Sequence, residues 1–402
     1  MQNKINKFFT KYEFILPIII FIFFLGVSLP GVQWGAPALW NPDELVWRVS
    51  SALRGELIFD ETEPDWNYPS LPKYVMYAIG WLVFKAGFSE FAFIVSARVF
   101  SAVLGALSGV LIYYLARHIN LNKRFSFLAG IFYVVSGIVA ENARYAHNDL
   151  YLQLFAILCV FFAIKYQRTE KITWLYYSFF SVGLAASSKY TGGSLILLPV
   201  CVFIFLQWHE IRAGWVYVIK TLFLGGLISF LGYSLGTPKA FLSPIYYFSS
   251  VIPALRNYPQ YGFNSGSPIG LIGQWAVFED AVGIFSYWLF IVSFAWVLTR
   301  FVLWKLLPTQ QKLANTQLTG VLLLAIIIFD LPFLISINYI PRYFIPFIPF
   351  LTILAALFIS EVFQFMRRNN FRFANFFISL VLGIGIFYSV LRLVSIFFVV
   401  YE

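Results

Sequence analysis

The chain has 402 residues, of which 60% are hydrophobic, 21% aromatic and 11% charged. A soluble domain carries about 25% charged residues, so a secreted enzyme, a cytosolic oxidoreductase and a nucleic-acid binder are excluded, and an all-α polytopic membrane protein is expected. The net charge of +10 then reports on membrane sidedness.

About 20 apolar residues cross a hydrocarbon core of about 30 Å. Lys4, Lys7 and Lys11 precede the first apolar run, 14–30. No small-residue cleavage site follows, so a retained span is expected there, not a removed signal peptide. Asn41-Pro42-Asp43-Glu44 comes next. It reads as a helix start, with Asn41 as cap, Pro42 at the first helical position and two acids on the positive helix end. The same geometry holds a carboxylate at the membrane surface as a general base. The stretch 71–88 opens Leu71-Pro72-Lys73 and contains Lys85, which suits an interfacial helix.

Spans are predicted over 91–116 and 125–141. The connector that follows, Glu141 to Asp149, holds Arg144, His147 and Asp149. Capping by Asn148 or Asp149 and snorkelling by Arg144 account for part of it. Charges at membrane depth, however, cost a few kcal/mol and are kept for pairing or function. Spans 149–165 and 172–188 lead to Ser187-Ser188-Lys189-Tyr190-Thr191-Gly192-Gly193, where Lys189 is either an interfacial anchor or an ammonium open to an anion. Spans 190–207 and 214–235 precede a loop, 236–280, whose Gly/Pro/Asn/Tyr-rich part from Pro253 to Gly270 is expected to be a lid. Spans 281–299 and 316–331 follow. Arg342 and Tyr343 then enter the span 343–360, as an anchor or as a guanidinium fork for a lipid phosphate. The last span is 373–397. Cys159 and Cys201 lie in apolar runs, so neither a disulfide framework nor a cysteine metal site is implied.

Charge fixes the topology. If 71–88 does not cross, sixteen Lys and Arg against four acids fall on the side of the N-terminus. If it crosses, thirteen of the sixteen change sides. The positive-inside rule prefers the first arrangement, giving about eleven spans with the N-terminus cytoplasmic. The division follows: a transmembrane module 1–235 with a catalytic first outer loop 31–90, the loop 236–280, and C-terminal spans 281–402. No Gly-rich phosphate loop, Rossmann fingerprint or internal repeat is visible, which argues against an ATP-driven pump and a nucleotide-sugar donor. Short loops without appended domains point to a prokaryotic plasma membrane.

The order of these features resembles the family 39 type of the GT-C glycosyltransferase superfamily, which holds the protein O-mannosyltransferases and lipid A aminoarabinose transferases. The residues concerned are Asp43-Glu44, Tyr68-Pro69-Ser70-Leu71-Pro72-Lys73, Arg98, Arg144 to Asp149, Lys189-Tyr190 and Pro341-Arg342-Tyr343. They span most of 10–235 and return near 339–350. The resemblance implies a sugar donor on a polyprenyl phosphate and transfer, with inversion, on the non-cytoplasmic face. The acceptor would be a protein, lipid or polysaccharide, and no nucleic acid is involved. It implies Asp43 as base, Glu44 as its acidic neighbour, Asp149 as a second functional acid, and Lys73 as the Lys closing the His-Pro-Pro-Leu-x-Lys pattern. The His of that pattern is Tyr68 here and its second Pro is Ser70, so no His-dependent role or metal dependence carries over. Lys73, Arg144, Lys189, Arg342 and Tyr343 are candidates for holding the lipid phosphate, with His147 and Tyr68 as further site candidates. One His near the outer acids does not define a divalent-metal site.

Two other classes compete. A transporter or lipid flippase also needs many spans, but usually shows repeats and broken helices near the midplane. A scaffold subunit that has lost chemistry is a third reading, against which Asp43, Glu44 and Asp149 argue.

Overall fold

The computed structural model describes residues 13–38, 43–56, 68–257, 271–303, 316–331, 340–369, 371 and 374–401. It is helical among these residues. In chain order the helices are α1 (Ile15–Ser28), α2 (Val46–Leu53), α3 (Leu71–Lys85), α4 (Glu90–His118), α5 (Lys123–Val134), α6 (Gly137–Asn142), α7 (Asp149–Thr169), α8 (Ile172–Ser188), α9 (Leu197–Leu206), α10 (Trp208–Gly236), α11 (Lys239–Leu242), α12 (Pro244–Asn257), α13 (Leu271–Val282), α14 (Ile284–Val302), α15 (Thr316–Asp330), α16 (Ile348–Arg368) and α17 (Ala374–Tyr401). Short 3-10 turns at Tyr190–Ile196 and Pro341–Phe344 lead into α9 and towards α16.

Among the described residues five helices are long and apolar enough to cross a membrane: α4, α7, Gly214–Gly236 of α10, α14 and α16. Shorter apolar helices accompany them at Ile15–Ser28, Tyr190–Leu206, Leu318–Asp330 and Ile378–Val394. The protein is a multi-pass membrane protein. Where the structure departs from the expected spans, local chemistry explains it. The run 125–141 is broken after Val134, where Ser136 is extended and starts α6. The tenth expected span starts five residues late because Pro341–Phe344 winds as a tighter 3-10 turn. α3 has 15 residues and buries Lys73 in its first turn, where an interfacial helix was expected. Of the expected lid, residues 253–257 continue α12 and 258–270 lie outside the described residues; so do Asn41 and Pro42 of the predicted helix start.

Packing places the elements that carry the polar connectors. α8 and α10 meet backbone to backbone, since a Cβ on Gly183 would stand 2.0 Å from the Ser229 carbonyl oxygen. Ser229 seals the same contact by donating to the Phe179 carbonyl at 2.8 Å. Small residues of this kind let helices approach where lipid gives no hydrophobic drive. α7 ends where Glu170 adopts a left-handed φ of 55°, and the chain reverses directly into α8. α5 is started by Asn122, whose side chain accepts from the amides of Arg124 and Phe125. The result is a bundle with polar connectors gathered at both ends.

Candidate active site

The connector between α1 and α2 and the α6–α7 connector are laced together. The Leu45 amide donates to the Ala146 carbonyl at 3.0 Å, and the Ala146 amide donates to Glu44 Oε1 at 3.0 Å. Arg98 of α4 grips Glu44 with both prongs, Nε to Oε1 and Nη2 to Oε2, each at 2.8 Å. Its remaining nitrogen donates to the carbonyls of Val32 and Trp34. Both side chains of this pair are 0% exposed. A buried ion pair survives only when its hydrogen-bonding capacity is met in this way. Asp43 and His147, each adjacent to this lacing, are thereby brought to one end of the bundle.

Asp43 accepts from Arg342 Nη2 at 2.5 Å, across 299 residues of sequence, and keeps a side chain 43% exposed. Asp149, fully buried at the start of α7, is held from two sides. His147 Nδ1 lies 2.9 Å from Oδ2 and Lys189 Nζ lies 2.6 Å from Oδ1. Lys189 reaches it because the backbone turns extended there (φ −154°, ψ 134°) between α8 and the 3-10 turn. The ammonium also stands 5.0 Å over the Tyr343 ring, a cation–π contact. Tyr68 meets the His147 ring edge-on, centroids 5.5 Å apart.

Electrostatics join these pieces. Burial alone would lower the Arg342 guanidinium, but Asp149, Tyr68 and Asp43 outweigh it and raise its pKa. Arg342 therefore lies in the field of both aspartates. His147 is pushed below the ordinary imidazole range by burial, with Asp149 opposing and Arg342 and Lys189 reinforcing. At neutral pH it is uncharged, so Asp43, Asp149, Arg342 and Lys189 form a charge-balanced set.

The structure thus brings together Asp43, Tyr68, His147, Asp149, Lys189, Arg342 and Tyr343. Glu44, expected as the acidic neighbour of Asp43, is turned into the protein, where it accepts from Arg98 and from the Ala146 amide. Arg144, expected among the phosphate-binding cations, is 1% exposed and donates to the Val27 carbonyl at the end of α1. Lys73 is buried in the first turn of α3, whose start docks through the Ser70 amide on Thr237 Oγ1.

Two supports escaped the sequence reading. Gln153 donates to the Ile345 carbonyl at 2.6 Å and accepts from the Tyr133 hydroxyl at 2.6 Å, fixing the turn that carries Arg342. Asn148 donates to the Ser188 carbonyl next to Lys189. Gln153 lies one helical turn beyond Asp149 inside an apolar span, and that polar interruption on the same face was the signal.

Residues 70–234 match the family model of the dolichyl-phosphate-mannose-protein mannosyltransferases. An uncharacterized protein of Aquifex aeolicus is 27% identical over 199 residues, covering 48% of this chain and 36% of that protein. The structure is similar to the archaeal oligosaccharyltransferase AglB from Archaeoglobus fulgidus, solved in complex with an inhibitory peptide and a dolichol-phosphate. Its TM-score is 0.61 at 14% identity, over 96% of this chain and 56% of that one. It is also similar to ArnT from Cupriavidus metallidurans bound to undecaprenyl phosphate, with a TM-score of 0.57 at 16% identity, over 88% of this chain and 60% of that one. The chain shares the fold of these two membrane proteins. It spans little more than half the length of those two solved chains.

Proposed function

We propose that the protein is a membrane glycosyltransferase that moves a sugar from a polyprenyl-phosphate carrier to an acceptor on the non-cytoplasmic face. The observation that carries this reading is the convergence of Asp43 and the His147–Asp149–Lys189 group on Arg342. It supplies a partly exposed carboxylate beside cations, at the end of the bundle opposite most of its basic connectors. The polyprenyl phosphates in the AglB and ArnT structures support the donor class.

In this reading the carrier phosphate competes with Asp43 for Arg342. As Arg342 turns to the phosphate, Asp43 is released to act as base. Asp43 takes the proton of the acceptor hydroxyl, the acceptor oxygen bonds to the anomeric carbon, and the bond from that carbon to the phosphate oxygen breaks. The configuration inverts, because attack comes from the face opposite the departing phosphate. Arg342 and Lys189 offset the charge that grows on the phosphate, the electrostatic stabilisation that dominates such steps. Asp149 holds Lys189 in place. Glu44 and Arg98 act one step removed, fixing the backbone on which Asp43 stands.

The test is twofold: mass spectrometry of glycans and glycolipids from cells with and without the gene, and transfer by purified protein from polyprenyl-phosphate sugars in liposomes. A covalent glycosyl product that depends on the protein supports the reading. Solute uptake into vesicles with no covalent product favours a transporter and overturns it.

A further inference from the structure

His147 carries a polar atom that the mechanism above does not use. Its Nδ1 faces Asp149 Oδ2 at 2.9 Å. A carboxylate accepts only, so Nδ1 carries the proton and Nε2 is left as a bare lone pair. Nε2 is buried and has no hydrogen-bond partner among the described residues, in a residue only 3% exposed. A buried acceptor without a partner is destabilising and rare. Around the imidazole stand Arg342, Lys189, Asp149 and the Tyr68 ring. The two cations suit an anion, and a phosphodiester anion has no proton to give a lone pair. A hydroxyl does.

We infer that His147 Nε2 accepts a hydrogen bond from a hydroxyl of a carbohydrate bound between Tyr68 and the Arg342–Lys189 cations. This rests on the proposed function and deepens it. Anion recognition and hydroxyl recognition are divided between the cations and the imidazole, and Asp149 serves both by holding Lys189 and fixing the His147 tautomer. The carbohydrate is either the donor's sugar or a sugar acceptor.

The chain has three histidines, so 15N-histidine labelling gives a simple spectrum, and His147→Gln assigns the signal. In the ligand-free protein Nε2 is expected unprotonated and unbonded. Undecaprenyl phosphates bearing mannose, glucose or aminoarabinose shift it if the hydroxyl is the donor's. Methyl mannoside added with bare undecaprenyl phosphate shifts it if the hydroxyl is the acceptor's. A proton on Nε2 in the ligand-free state, a shift caused by bare undecaprenyl phosphate or by a divalent cation alone, or no shift with any probe overturns the inference. In transfer assays His147→Ala raises the KM for that carbohydrate about ten- to hundredfold, and His147→Gln, which keeps an acceptor oxygen, recovers part of it. Transfer by the wild type with Nε2 unmoved sinks this inference alone; absence of transfer from every carrier sinks the proposed function.

A second observation is independent of the chemistry. α11 and α12 leave α10 at Thr237 and bury Ala240, Tyr247 and Val251 against Tyr190 and Tyr233, with the Tyr233 and Tyr247 hydroxyls hydrogen-bonded. Their other side exposes Phe241, Leu242, Ile245 and Ile252, with Ile245 88% exposed. This apolar surface continues from Leu227, Leu231 and Leu235 on the membrane-spanning part of α10, across an apolar groove of about 360 Å³. We propose that α12 lies in the membrane interface with this face in lipid, in place of a lid moving in water. A nitroxide on Ile245→Cys in proteoliposomes is expected to be reached by oxygen more than by a water-soluble nickel complex, as on Leu231→Cys. Dominant access by nickel, or access by neither reagent, overturns the proposal.

Discussion

Charged clusters stand at both ends of this bundle, and they differ in burial. At one end Glu13 pairs with Arg117 at 3.2 Å and with Lys123, tying the chain before α1 to α4 and α5. Those side chains are 22–39% exposed. At the other end Glu44 and Arg98 are wholly buried, as is Asp149. Solvated pairs contribute about 0–1 kcal/mol. Buried ones are costly to assemble and more costly to break, because the abandoned partner is left uncompensated. The first cluster is a fastener that many sequences could replace. The second fixes two connectors relative to one another, which is what a chemical site requires.

The contrast can be broken by substitution. Arg98→Leu is expected to destabilise the protein by about 3–5 kcal/mol, read as a fall in melting temperature in detergent. Glu44→Met combined with Arg98→Leu should melt closer to the wild type than Arg98→Leu alone, since no buried charge is then orphaned. A double variant that melts lower than the single would contradict the buried-pair account. Next in size is Lys189→Met, which removes the ammonium bonded to Asp149 Oδ1: transfer is expected to fall about a hundredfold or more, with a smaller loss of stability.

A subtler effect concerns pH. Burial keeps the His147 pKa below its unfolded value of about 6.5, so the unfolded chain binds the proton more readily. The associated stability is complete above about pH 6.5 and is lost as the pH falls from there towards the depressed value. Asp149, Lys189, Arg342 and Tyr68 face the ring. Wild-type protein should lose melting temperature more steeply between pH 7 and pH 5 than His147→Gln, and equal slopes would contradict this. Smallest of all, Glu13→Gln is expected to change stability by no more than about 1 kcal/mol and to leave transfer at wild-type levels.

How much of this was legible beforehand follows the reach of each signal. Hydropathy acts over tens of residues, so the membrane class was readable from the chain. Asp149 and Lys189 were flagged because charges at the edge of apolar runs demand an explanation. Their mutual contact was not readable, since it depends on the extended backbone at Lys189. The separation of Asp43 from Glu44 was hidden for a related reason. Adjacent acids in a sequence look equivalent, yet neighbouring side chains leave the backbone in different directions. Here one is partly exposed beside Arg342 and the other is sealed against Arg98. The role of Gln153 depends on a carbonyl at residue 345, a contact across 192 residues that no local pattern encodes.

The measurement that bears most directly on the account is transfer from a polyprenyl-phosphate sugar by Asp43→Asn protein, assayed beside the wild type with both melting profiles recorded. The carboxamide keeps an oxygen for Arg342 but cannot take a proton. The account predicts a loss of at least about a hundredfold in turnover with an unchanged melting temperature. Turnover within a few-fold of the wild type would contradict it.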